Sequence, residues 1–180
     1  MVLEELVERF TQLPGAVVGR GPRHPVQPDP SIAPRIEWLL ENYPRLRRYQ
    51  SYVDFLEMYA GATIENEDPN GKNLVHVLGF GEEFFEIDVD WSGEGEIETD
   101  GYIVFAICAY HRVRERELDT YEYDFALETS GARRPGIYRA VSAMHALDQP
   151  IQLSWHAEDF CDWLGELIEK KGIYERPALP

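Results

Sequence analysis

The spacing of apolar residues divides the chain into helices first, strands second and one closing helix. Val2, Leu3, Leu6, Val7 and Phe10 share one helical face with glutamates opposite, which predicts a helix over 2–13 ended by Pro14 and Gly15. Residues 19–34 then hold Gly19, Gly21, Pro22, Pro25, Pro28, Pro30 and Pro34. This is an irregular connection lacking a backbone donor at each proline, either a linker or a stretch ordered over the surface. Ile32, Ile36, Leu39, Leu40 and Tyr43 predict a helix from Ser31 to Tyr43, broken by Pro44. Tyr52, Val53, Phe55, Leu56 and Tyr59 predict another over about 46–60, with Gly61 as its left-handed cap.

Strand signals follow. Leu74 to Phe80 is apolar and partly β-branched. Phe85, Ile87 and Val89 alternate with Glu86, Asp88 and Asp90, a period of two that gives one core face and one acidic face. Tyr102 to Tyr110 is apolar on both faces and should be a central strand. Tyr121, Tyr123, Phe125 and Leu127 alternate with Glu122, Asp124, Ala126 and Glu128, which again reads as one-sided. Ser130-Gly131 makes a turn, and Ile137 to Val141 can pair back across it. Phe160, Trp163, Leu164, Leu167 and Ile168 define the last helix, about His156 to Lys171, with Lys170 and Lys171 at the end where the dipole favours cations and Gly172 as terminator. Helices followed by strands and a helix is the α+β order, an antiparallel sheet flanked by helices, in one domain spanning 1–180.

Charge narrows the function. The formal net charge of −16 argues against nucleic acid and against an anionic membrane surface; it permits a basic protein partner and equally serves solubility alone. The charge is uneven: from Ala62 to Gly101 twelve acidic residues face one base, Lys72, a net of −11. By contrast Arg20 to Gln50 holds six arginines against Asp29, Glu37 and Glu41. No apolar run reaches the roughly 20 residues of a membrane span. The glutamates at positions 4, 5 and 8 are foreign to a secretory signal. Cys108 and Cys161, set in apolar surroundings without a CxxC, read as buried thiols in a reducing, cytoplasmic compartment.

Signals for catalysis are sparse. The five histidines, His24, His76, His111, His145 and His156, show no HxH, HxxxH or HExxH spacing. His111 is the most interesting, since it follows the central strand. No phosphate loop, nucleophile elbow or dinucleotide fingerprint occurs. Asp88, Asp90, Ser92 and Gly93 fit the opening positions of a calcium loop, but Thr99 stands where the bidentate glutamate belongs. A hairpin turn over Ser92 to Gly95 fits better, with weak calcium binding left open.

Four segments resemble the SUKH superfamily. Asp54-Phe55-Leu56-Glu57-Met58-Tyr59-Ala60-Gly61 is similar to its helix ending in the pattern FL..YNG, with Ala60 in place of the common asparagine. Gly101 to Phe105 and Tyr121 to Leu127 resemble its two core strands, and His156 to Leu164 its closing helix. The resemblance runs from Ser51 to Lys171 and places a SUKH-like core over 46–172. It implies a sheet flanked by helices and a frequent role as an immunity protein that neutralises a bacterial toxin by direct binding. Other members are regulatory or scaffold proteins, and the family shares no catalytic residues. The expectation is a non-enzymatic protein-binding domain without cofactor or metal, its basic partner meeting Glu86, Asp88, Asp90, Trp91, Glu94, Glu96 and Glu98. A hydrolase with a dispersed site is the more distant alternative. Oligomeric state is not legible.

Overall fold

The structure, a computed structural model, describes residues 2–68, 71–80, 101–114, 117–141 and 153–174. Among these described residues four α-helices accompany a seven-stranded antiparallel sheet, an α+β fold. The helices are α1 (Leu3–Thr11), α2 (Ala33–Asn42), α3 (Gln50–Tyr59) and α4 (Phe160–Glu169). The strands are β1 (Ala16–Val18), β2 (Ala62–Asp68), β3 (Gly71–Val77), β4 (Tyr102–Arg114), β5 (Glu117–Glu128), β6 (Ile137–Val141) and β7 (Ser154–Ala157). Each strand pairs with the next, so the spatial order is the chain order and β4 is central, as its two apolar faces require.

α1 buries Leu3, Leu6, Val7 and Phe10, while Val2 lies just outside the helix in solvent. Glu4 and Glu5 sit in its first turn, where the helix dipole favours negative charge. The Pro/Gly-rich connection is ordered over the surface. Gly21 N–H donates to the Met58 carbonyl at 3.0 Å and Arg23 N–H to that of Glu57 at 2.7 Å. These bonds satisfy last-turn carbonyls of α3 that the helix itself leaves open. Asp29 Oδ1 then accepts from Ser31 N–H at 3.0 Å and caps a short 3-10 turn, Pro30–Ile32, that leads into α2. The proline at 34 fits because the first helical turn needs no donor there.

Several sequence expectations change. The left-handed residue closing α3 is Ala60, with φ of 56°, and Gly61 follows at 137°. The chain needs two positive φ angles to swing from α3 into β2, and a non-glycine residue in that region costs about 1 kcal/mol. The predicted last helix is shorter: His156 belongs to β7, because the Asp159 side chain accepts from Asp162 N–H at 3.0 Å and starts α4 after it. β1, β2 and β7 carry no strong periodic signal of their own, being short or broken by polar residues. β5 is covered on both sides along part of its length. Asp124, Ala126 and Glu128, expected at the solvent face, are as buried as Tyr123, Phe125 and Leu127.

The inner face of the sheet carries Ile64, Val75, Val77, Phe125, Leu127 and Ile137 under α3 and α4. A register shift between Val104 and Ala106 inserts Phe105 into that layer. Its ring meets Trp163 at 4.9 Å, Tyr52 at 5.4 Å and Phe160 at 5.8 Å, and all four are fully buried. Removing the Trp163 ring should therefore destabilise the fold by about 3–5 kcal/mol in Trp163→Ala, read by urea unfolding. Tyr49 ties the sheet to the helices differently. Its hydroxyl donates to the Glu128 carbonyl at 2.7 Å and accepts from Gly136 N–H at 3.0 Å. Tyr49→Phe strands both partners and should cost about 1–3 kcal/mol. A thermal midpoint equal to that of the wild type would refute this role.

Candidate functional site

All the expected partner-binding residues, Glu86, Asp88, Asp90, Trp91, Glu94, Glu96 and Glu98, lie outside the described residues. So do the period-two strand at 85–90, the calcium-like loop at 88–99 and His145. The structure describes both roots of that acidic stretch. On the entry side, Leu78 N–H donates to the Phe105 carbonyl at 2.7 Å and Phe80 N–H to that of Ala60 at 2.8 Å. The Arg35 guanidinium lies 5.0 Å from the centre of the Phe80 ring and donates to the Phe80 carbonyl at 3.1 Å. Gly79 is forced by space, since a Cβ there would stand 1.8 Å from the Ala60 carbonyl oxygen. On the exit side, the Gly101 carbonyl accepts from Thr129 N–H at 2.6 Å and Ser130 N–H at 3.0 Å. Gly101 holds φ at 98°, and a Cβ there would strike Ser130.

The sheet face turned away from the helices carries the described polar groups. Strand alternation places Thr63 and Glu65 of β2, Lys72 and His76 of β3, and Glu122 and Asp124 of β5 on it. Lys72 Nζ pairs with Glu65 Oε1 at 2.5 Å, which holds the Glu65 carboxyl below its usual range. His76 is half-buried, and burial pulls its imidazole below the ordinary histidine value against the opposing pull of Glu65. His111 stands opposite Lys72 on β4 and is half-buried.

At the other end of the sheet, the Glu128 carboxylate is buried and accepts from the Ser130 hydroxyl and from Gly131 N–H at 2.6 Å. It organises the β5–β6 turn rather than facing water. Above this turn Arg134 stacks 3.7 Å from the centre of the Trp155 ring, and Arg133 lies 5.9 Å from that of Tyr102. Sequence reasoning missed this arginine and aromatic corner. The adjacent Arg133-Arg134-Pro135-Gly136 was its one local signal.

A second missed cluster sits between β7 and α4. His156 Nε2 stands 2.9 Å from Glu166 Oε2, close in distance but without the alignment of a hydrogen bond. Lys170 Nζ meets the other carboxylate oxygen at 2.5 Å and lies 4.8 Å from the centre of the Tyr174 ring. Phe125 packs edge-on to His156 at 5.1 Å. Burial lowers the His156 value more than Glu166 raises it. Only folding brings these groups together, because 156, 166 and 174 share no motif.

Neither described cleft gathers His111 with carboxylates around a reactive centre. A cleft of about 440 Å³ between α1 and α4 is lined by Leu6, Asp159, Cys161, Asp162, Gly165, Glu166 and Glu169. One of about 250 Å³ lies against α2 and includes Ile36, Leu40 and Arg47. Both cysteines are free; Cys108 is buried, Cys161 half-buried, and burial pushes both thiols up, away from the reactive thiolate. Among the described residues no three His, Cys, Asp or Glu side chains group to hold a metal ion. No described helix is long and apolar enough to cross a membrane. Compared with known proteins, the chain matches no family model, no curated protein and no solved structure.

The two half-buried imidazoles set a pH dependence. His76 and His156 have lowered values in the folded chain, so the unfolded chain binds their protons more tightly. Their contribution to stability is whole above about pH 6.5, the unfolded histidine value, and falls as pH drops below it. Urea midpoints should decline between pH 7.5 and 5.5, and His76→Gln with His156→Gln should flatten that decline. An equal slope in the double variant would exclude the two histidines as its source.

Proposed function

We propose that this chain is a non-enzymatic protein-binding domain that acts as an immunity protein, neutralising a bacterial toxin by direct contact with a basic surface. One observation carries the reading. β3 and β4 are adjacent antiparallel partners, yet residues 78–101 separate them. A hairpin joining two such strands needs about 2–5 residues. The surplus carries Glu82, Glu83, Glu86, Asp88, Asp90, Glu94, Glu96, Glu98 and Asp100 without one lysine or arginine. The meander does not need this chain for its own pairing, and long loops rooted on a rigid sheet are common places for binding function.

Two further points support the SUKH-like reading. The fold is α+β with its sheet beneath helices. The family's common asparagine falls at Ala60, whose φ of 56° is the left-handed conformation that asparagine tolerates better than most residues. The free thiols suit a cytoplasmic location. In this reading the carboxylates steer encounter with a basic toxin domain, and Trp91 supplies an aromatic anchor.

The test is co-expression with the product of the gene directly upstream, followed by binding kinetics at two salt concentrations. Wild-type chain should associate with that product and protect the cell from it. Glu94→Lys, Glu96→Lys and Glu98→Lys together should slow association about 10-fold at low salt and flatten its salt dependence. An unchanged on-rate would remove the acidic stretch from the interface. Failure of the wild-type chain to bind or protect would remove the immunity role itself.

A further inference from the structure

Arg45, Arg133 and Arg134 form an exposed cationic corner in a chain of net charge −16. The turn that carries two of them, residues 129–136, holds no acidic residue. Glu128 just before it is buried, its Oε1 accepting from the Ser130 hydroxyl and from Gly131 N–H. Arg45 reaches this turn from the segment between α2 and α3, its Nη1 donating to the Thr129 carbonyl at 3.4 Å. Among the described residues no carboxylate forms an ion pair with any of the three arginines.

The corner is held in place as well as charged. Ser130 Oγ accepts from Ala132 N–H at 3.0 Å, and the Tyr138 hydroxyl donates to the Arg134 carbonyl at 3.0 Å. The Trp155 indole N–H donates to the Pro135 carbonyl at 3.3 Å. The Arg134 guanidinium lies 3.7 Å from the centre of the Trp155 ring, and that of Arg133 lies 5.9 Å from the centre of the Tyr102 ring. Stacking orients these guanidiniums without neutralising them and leaves their N–H edges to a partner. A turn already fixed in this way loses little freedom on binding. The supporting rings belong to β7 and β4, strands three spacings, or roughly 14 Å, apart.

Guanidinium forks suit carboxylate and phosphate alike, so the surroundings decide between them. Single-stranded nucleic acid binds where bases can stack on open aromatic faces. Here Arg134 already occupies a face of Trp155, the exposed ring of the corner, and Tyr102 and Tyr138 are buried. A duplex presents a dense line of phosphates, which the net charge of the chain repels. In an extended peptide alternate side chains point the same way about 7 Å apart, so two or three carboxylates bridge the corner. We propose that Arg45, Arg133 and Arg134 bind a short acidic segment of another protein, its carboxylates taken by the guanidinium edges. The proposal uses no residue of the acidic stretch and needs no toxin partner, so it stands or falls apart from the immunity role.

The probe is a nine-residue peptide with glutamates at its third, fifth and seventh positions and glycine and serine elsewhere. It is titrated to about 2 mM into the nitrogen-15-labelled chain at about 0.05 M salt. The Trp155 indole N–H resonance, identified by its loss in Trp155→Phe, should shift towards saturation, with Kd raised about 5-fold or more at about 0.3 M salt. Arg133→Gln with Arg134→Gln should keep the wild-type spectrum elsewhere, which shows that it folds, and should lose the response to the peptide. Arg45→Gln, outside the turn, should weaken binding about 3-fold or more. The same peptide with glutamine for glutamate should cause no shift. A Trp155 resonance that the acidic peptide leaves in place, or moves equally in the double variant, overturns the proposal. So does a thymidine tetranucleotide of equal charge that binds more tightly than the peptide.

Discussion

The structure depends on one aromatic contact zone between sheet and helices. Phe105 and Phe125 rise from the two central paired strands, and Trp163 and Phe160 descend from α4, with Tyr52 and Phe55 beside them from α3. Most of the rings meet edge-on or tilted and Tyr52 stacks on Phe55, with centroids 4.9–6.4 Å apart, the range in which their quadrupoles attract. Such packing has a definite geometry. It sets where α4 lies over β4 and β5, and hence where β7, just before α4, meets β6. The bulge at Phe105 belongs to the same constraint, because without the extra residue the ring would not join Trp163 and Phe160. α1, which packs chiefly on α4 and β1, is placed in turn by that helix.

This explains what was legible in the sequence. Helices α1, α3 and α4 and the central strand follow from side-chain period, because each buries one continuous apolar stripe or, for β4, two. β1 and β7 were not legible, since strands of three and four residues are defined by their neighbours and not by their own pattern. β5 misled for a related reason. Alternation reports which side chains prefer water, yet Glu128 is buried, its Oε1 accepting from the Ser130 hydroxyl and from Gly131 N–H. A buried acid of this kind depends on hydrogen bonds from a turn, which periodicity does not contain. The candidate site divides the same way. The acidic stretch was plain from composition, whereas the His156–Glu166 contact and the Arg134–Trp155 stack join residues 10 and 21 positions apart on different elements.

The half-buried imidazoles and the exposed guanidiniums show two solutions to the same problem of placing cations in an acidic protein. His76 and His156 lie where burial disfavours their charged forms, which biases them to neutrality. Arginine does not have that route, because its guanidinium stays charged at any working pH. Arg133 and Arg134 instead keep one edge in solvent and one face on a ring, so their charge remains available to a partner.

The acidic excursion itself places little thermodynamic load on the fold. In chain-closure terms a connection of about 24 residues in place of about 4 costs on the order of 1.5 kcal/mol more, because the penalty grows only with the logarithm of length. Its two roots are secured independently, Phe80 to Ala60 and Gly101 to Thr129 and Ser130, so strand pairing of β3 with β4 does not wait on the residues between. Nine carboxylates in close sequence repel one another, and that repulsion is what a hairpin built only for connection would avoid. An opposing positive surface, such as that of the basic partner proposed above, would remove that repulsion.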